Sequence, residues 1–498
     1  MTRAGTRGEA LLAALFAAVL LAVVIQGFAQ PRTSFFGAVG LDFRAFYCSG
    51  EAVAHGRSPY LVEPLRSCEH RVQWSNDWSR DLVIPSPLPA YDLALLAALS
   101  RLPYDAAKAV WFCGLLACIV LATGFLARLT KLPTLFVLLC VLGGGGVLCL
   151  LYGQLPPVVV AALAGGAYFA QRGKMTAAAI ALGASMIEPH VGLAACLAAF
   201  LLLPACRLAL ATTLAVLAVA GVATVGVPTS IVYFTQVLPA QAAAELVATD
   251  QYSLSHVLHV LGFPDRAALL GGSACYLVML VVGVLLARRV SASTGSVAFV
   301  PLIPAALAIF GGSYIHEEQF LAAIPAALAL AALSRAARPL AWVALGLLGF
   351  SWLSFADGRH ASDLSIIGLS LGVAAWIGVL AAPERRRVVT ALAAACVFVV
   401  AVFAVRALPG PRTVASDAAF PRSVSVASAS ASANWAAYLR AAPTLSVPSP
   451  RSELGKAPSW LALILLAVVC WRAPRGAVGD GVPIGRKIDD GASFPRFV

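Results

Sequence analysis

Apolar runs recur along the whole chain, separated by short polar connections. They fall near residues 9–29, 107–128, 133–151, 155–171, 174–188, 190–204, 207–227, 268–287, 297–312, 318–334, 339–355, 363–381, 388–406 and 459–472. Crossing a bilayer takes roughly 17–25 helical residues, and many of the runs reach that length. Inside lipid no water pairs with the backbone, so each run must satisfy its own amides and carbonyls as helix. The pattern predicts an all-α, polytopic integral membrane protein with about 12–14 transmembrane helices. Segment 85–102 is also apolar but opens Pro85-Ser86-Pro87-Leu88-Pro89. It reads as an interfacial or re-entrant helix at the outer face, because counting it as a span would invert every later connection.

Basic residues set the orientation. Arg3 and Arg7 precede the first run. Every second run then ends at basic residues: Arg128 and Lys131, Arg172 and Lys174, Arg207, Arg288 and Arg289, Arg335 and Arg338, Arg385 to Arg387, and Arg472 and Arg475. The positive-inside rule puts these ends and both termini in the cytoplasm. The opposite connections, 30–84, 152–157, the Glu188-Pro189-His190 corner, 228–266, 313–318, 357–363 and 409–458, face outward. Three regions follow: a membrane domain over 1–408 with an outer loop at 30–106, an outward flexible loop rich in Ser, Ala and Pro at 409–458, and a last span with a cytoplasmic tail at 459–498. A signal peptide would resemble the first run, but this run is long and Ala-rich and reads as an uncleaved helix.

Composition narrows the class. The 498 residues are 60% hydrophobic and 12% charged, against about 25% charged in soluble domains. The net charge of +12 comes from short clusters at span ends, which are topology signals, so no nucleic-acid partner is expected. Most of the eleven cysteines sit inside apolar runs without metal-ligand spacing. Cys48 and Cys68 share one polar outer loop, where they can pair if that side is oxidising or stay apart with Cys48 packed among aromatics.

The polar residues divide by side. Asp42, Tyr152, Gln154, Glu188, His190, His316, Glu317, Glu318, Asp357, Arg359, His360 and Asp363 all lie at outer ends. Acids and imidazoles at membrane depth are costly and mark function, which places the expected site at the outer face. Asp42 opens the first outer loop in Leu41-Asp42-Phe43-Arg44-Ala45-Phe46-Tyr47. Apolar neighbours can raise such a carboxylate toward neutrality and make it a general base for a hydroxyl. A capping or turn Asp in a solvated loop is the other reading.

These residues resemble glycosyltransferase family 87, GT-C-type membrane enzymes that include the phosphatidylinositol mannoside mannosyltransferases. The resemblance rests on Asp42-Phe43, Gly56-Arg57-Ser58-Pro59-Tyr60, Pro85-Ser86-Pro87 with Leu102-Pro103 and Trp111, Tyr152-Gly153-Gln154, Glu188-Pro189-His190, and Ser313-Tyr314-Ile315-His316-Glu317-Glu318. It covers about residues 10–385. Two departures stand out: Glu188 replaces a usual Lys, and the proline segment lacks the usual Tyr before it.

The resemblance implies a GT-C-like fold and a polyprenyl-phosphate sugar donor, mannose or another hexose. Transfer goes to a lipid or glycan acceptor at the outer face, with inversion. Asp42 takes the place of the family's base. His316, His190, Arg44 and Arg57 are candidates to hold the leaving phosphate, with Gln154, Tyr152, Glu188, Glu317 and Glu318 as further substrate-binding candidates. Local alternatives remain: His316 as a helix cap paired with Glu317 or Glu318, and Arg44 and Arg57 as solvated loop charges. Glu317 and Glu318 could bind a divalent metal, but adjacent acids on a helix point apart, so no cofactor is expected. Membrane lipids are the remaining partners. Two other classes fit less well: a transporter or flippase of lipid-linked glycans, which would keep ionisable groups at the midplane, and a non-catalytic envelope-assembly protein.

Overall fold

Each long apolar run that the structure covers is helical, as backbone satisfaction in lipid requires. The computed structural model describes residues 40–72, 83–334, 338–349, 352, 387–409, 430–441 and 448–473. The expected spans at 9–29 and 363–381, the residues Asp357, Arg359, His360 and Asp363, and the tail lie outside them. Helix is the regular element among the described residues, joined by one antiparallel bridge between Leu61 and Ser430. Five helices there are long and apolar enough to cross a membrane: Tyr104–Thr130, Thr134–Tyr152, Pro204–Glu245, Asp265–Thr294 and Pro450–Arg472. Six shorter apolar helices accompany them. Leu208, Val219 and Phe234 are 81%, 69% and 65% exposed on the Pro204–Glu245 helix, as expected of a face that meets lipid.

The interior divides into two packed groups. One joins Ile119, on the Tyr104–Thr130 helix, to Leu163, Leu182, Phe299 and Leu328 on shorter apolar helices. The other gathers Phe43, Phe46, Leu65, Trp111 and Tyr233 under the loop expected at 30–106. Within that loop the helices Leu41–Ala54 and Val62–Val72 are joined by a disulfide between Cys48 and Cys68, with a Cα separation of 5.6 Å. The Ala90–Leu99 helix follows the proline run and packs against Leu41–Ala54 and against the Arg207–Val232 helix. Its 10 residues are too few to span a bilayer, which needs roughly 20 at 1.5 Å each.

One boundary differs from the sequence reading. The span expected to end at 227 continues as helix to Glu245. Gly226, at φ +80°, and Pro228 break the regular turn there. Proline fits the first turn of a helix, where its missing N–H is not needed, so a second helical segment starts there and the chain runs on, kinked, to Glu245. The outward connection expected at 228–266 therefore begins only after Glu245 and includes a short helix, Leu254–Val260. Glu245 is thereby delivered to the corner that holds His316.

Candidate active site at the helix ends

Asp42 lies in the first turn of the Leu41–Ala54 helix, two residues after the N-cap Gly40, whose φ of 76° turns the chain into the helix. Its side chain caps nothing. It accepts a hydrogen bond from Gln154 Nε2 at 2.9 Å. Three contacts hold this corner: Gly40 N donates to the Leu151 carbonyl at 2.7 Å, Trp111 Nε1 donates to the Gly153 carbonyl at 2.8 Å, and Phe43 stacks on Trp111. Gly153 sits at φ +79°, and a Cβ there would come within 2.9 Å of Phe43 Cβ. Only glycine meets both demands, which explains the Gly-Gln step. Burial raises the Asp42 carboxyl to about 7, the Glu318 charge adds to the rise, and His316 and the Gln154 hydrogen bond draw it back.

His316 ends the loop that precedes the Glu317–Ala323 turn. It is the N-cap of that turn, its amide donating to Gln319 Oε1 at 2.5 Å, and its ring is paired across the chain. Its Nε2 is 3.6 Å from Glu245 Oε2, and its Nδ1 is 3.6 Å from Asp250 Oδ2. Fully buried Gln251 fixes the geometry. Its Oε1 accepts from Ile315 N at 2.7 Å, and its Nε2 donates to Glu245 Oε2 at 3.1 Å and lies 2.9 Å from His316 Nε2. Burial works against the imidazolium, but Asp250, Glu245 and Glu318 outweigh it and hold His316 well above the usual histidine range. Glu245 is anchored in turn by Trp435 Nε1 and Gln241 Nε2, each at 2.8 Å. Glu245, Asp250 and His316 are also the group whose ligand atoms, all within 4.8 Å of one another, could hold a metal ion.

The other sequence candidates divide. Tyr152 lies where the charges of Glu318, Asp42 and Asp250 act on it. Glu188 and Glu318 are buried and act on one another, and His316 acts on both Glu188 and His190. Glu317 interacts with Tyr252. Arg44 is placed elsewhere: it is buried in an ion pair with Glu69 at 3.8 Å, and Glu69 also accepts from Ile84 N at 3.1 Å. Burial raises the Glu69 carboxyl to about 7, against the pull of Arg44 and the Ile84 amide. Arg57 is exposed in the turn after the Leu41–Ala54 helix.

Glu245, Asp250 and Gln251 were not singled out by the sequence. Their one signal is three polar residues close together in an otherwise apolar stretch. A second unforeseen cluster supports their loop. Fully buried Lys456 contacts Glu453 Oε1 at 2.8 Å and His256 Nε2 at 3.0 Å, and His256 Nδ1 lies 2.9 Å from the Leu246 carbonyl. Trp460 Nε1 donates to the Tyr252 carbonyl at 3.1 Å. The last spanning helix thus grips both sides of Asp250 and Gln251.

The model of glycosyltransferase family 87 matches residues 89–309. No curated protein and no solved structure matches the chain. Gln154, Glu188, Glu245 and Asp250 lie inside the matched segment, while Asp42 and His316 flank it.

Proposed function

We propose that this chain, a membrane glycosyltransferase by its family 87 segment, takes a hexose, mannose being the first to test, from a polyprenyl-phosphate donor. It passes the sugar to a lipid or glycan acceptor at the outer face of the cytoplasmic membrane, with both termini on the cytoplasmic side. The Cys48–Cys68 bridge supports that sidedness, since disulfides persist in oxidising compartments.

The observation that carries the proposal is Asp42, fixed by Gln154 and electrostatically coupled to His316. A carboxyl near 7 is matched to general-base work at neutral pH. Asp42 takes the proton of the acceptor hydroxyl, and that oxygen attacks the anomeric carbon. The bond from this carbon to the phosphate oxygen breaks, and its electron pair leaves with the polyprenyl phosphate. The imidazolium of His316 faces the growing negative charge. A single displacement inverts the anomeric configuration. In this scheme Glu245 and Asp250 favour the charged form of His316, against the Gln251 amide nitrogen 2.9 Å from its Nε2, which favours the neutral ring.

The test is transfer of labelled mannose from polyprenyl-phosphate mannose to a lipid extract by membranes carrying wild type or Asp42→Asn. Asn keeps the shape and cannot accept the proton, so the rate is expected to fall about 10²–10⁴-fold. A variant that keeps more than about a tenth of the rate, far above that range, removes Asp42 from the role of base.

A further inference from the structure

Two buried carboxyl groups take no part in the displacement. Asp92 lies in the first turn of the Ala90–Leu99 helix, and Glu188 immediately precedes the Pro189–Leu202 helix. They are 8% and 6% exposed. The Tyr91 hydroxyl ties the two segments together by donating to the Met186 carbonyl at 2.7 Å. The charges of Asp92 and Glu188 act on each other, and Glu188 also senses Glu318 and His316. Asp92 is thereby linked to Glu188, and Glu188 to Glu318 and His316.

Asp92 Oδ2 and Glu188 Oε2 are buried without a hydrogen-bond partner, and so is Ser86 Oγ in the run before the Ala90–Leu99 helix. Buried acceptors left unpaired are costly. The phenols nearby do not supply the missing donors. Tyr60 donates to the Leu88 carbonyl at 2.9 Å, Tyr233 to that of Pro87 at 3.3 Å, and Tyr91 to Met186. Each phenol has one proton to donate, and each is engaged. The rings of Tyr60 and Tyr233 pack 5.9 Å apart, and Tyr60 senses the Asp92 charge. Acceptor oxygens beside aromatic faces suit a sugar, whose hydroxyls donate while its C–H face packs on rings.

We propose that Asp92 and Glu188 form the donor-sugar subsite, each accepting a hydrogen bond from a hydroxyl of the hexosyl group whose phosphate lies against His316. This rests on the transferase reading above. The two acids select the sugar by leaving an acceptor unpaired when the matching hydroxyl is missing or inverted.

The experiment pairs residue against hydroxyl. Wild type, Glu188→Gln and Asp92→Asn are assayed with polyprenyl-phosphate mannose, glucose and galactose, and with the monodeoxy analogues of the sugar that wild type uses. Each substitution is expected to lower kcat/KM about tenfold with the full sugar, and to cause no loss with one particular deoxy analogue, a different one for each residue. Glu188→Asp and Asp92→Glu enter the same cycle if an amide variant fails to fold. Losses equal across all analogues overturn the subsite, as does a fall in thermal stability with unchanged analogue ratios. If wild type transfers none of these hexoses, the transferase reading itself falls, and the subsite with it.

Discussion

Gln154 Nε2 lies 2.9 Å from Asp42 Oδ2, joining residues 112 positions apart in sequence. The bond orients the carboxylate and favours its charged form, against the burial that raises it to about 7. Activity should rise with pH through about 7 as Asp42 deprotonates, and fall at higher pH where His316, held well above the ordinary histidine range, loses its proton. Gln154→Ala removes the amide, so the acid limb should move to higher pH. Rate profiles of wild type and variant check this, and an unmoved limb separates Gln154 from the base.

Stability should carry the opposite sign. The folded-state carboxyl of Asp42 lies above its value of 3.8 in the open chain, at about 7. The folded form then binds the proton more tightly, so stability is full below about 3.8 and is lost as pH rises through about 7. Asp42→Asn never develops the charge. Its melting temperature in detergent should exceed that of wild type at pH 8, and the gap should shrink as pH falls toward 4. A lower melting point at pH 8 would contradict this.

The Lys456 cluster offers a test of the support behind His316. Lys456→Met leaves Glu453 and His256 without their buried cation, and breaking a buried pair on one side costs about 3–5 kcal/mol. Thermal unfolding should show the loss. The double variant Lys456→Met with Glu453→Gln should recover part of it, since the stranded charge is gone. Additive losses would mean that the two groups are not coupled.

The disulfide closes a loop between residues 20 apart in sequence, and chain-entropy arguments assign such a loop about 3 kcal/mol. Peptide mapping of unreduced protein should find Cys48 linked to Cys68. Cys48→Ser should melt lower than wild type, and reductant should lower wild type toward the variant without moving the variant. Free thiols at both positions would disprove the bridge.

Hydropathy and charge are properties of neighbouring residues, and so the sequence alone determined the class: a helical membrane protein with motifs that resemble those of glycosyltransferase family 87 and polar residues gathered at one set of helix ends. It also pointed to Asp42, Gln154, His316 and Glu188, because polar groups beside apolar spans stand out locally. Which of them meet was decided by tertiary packing. Asp42 and Gln154 come together because glycine at 153 admits Phe43. His316 finds Glu245 and Asp250 because the helix after Pro228 does not stop where its pattern suggests. Arg44, two residues from Asp42, is diverted to Glu69, since a buried cation must pair with whatever acid the fold sets beside it. Such pairings depend on distance in space between residues far apart along the chain, and no local pattern records that distance.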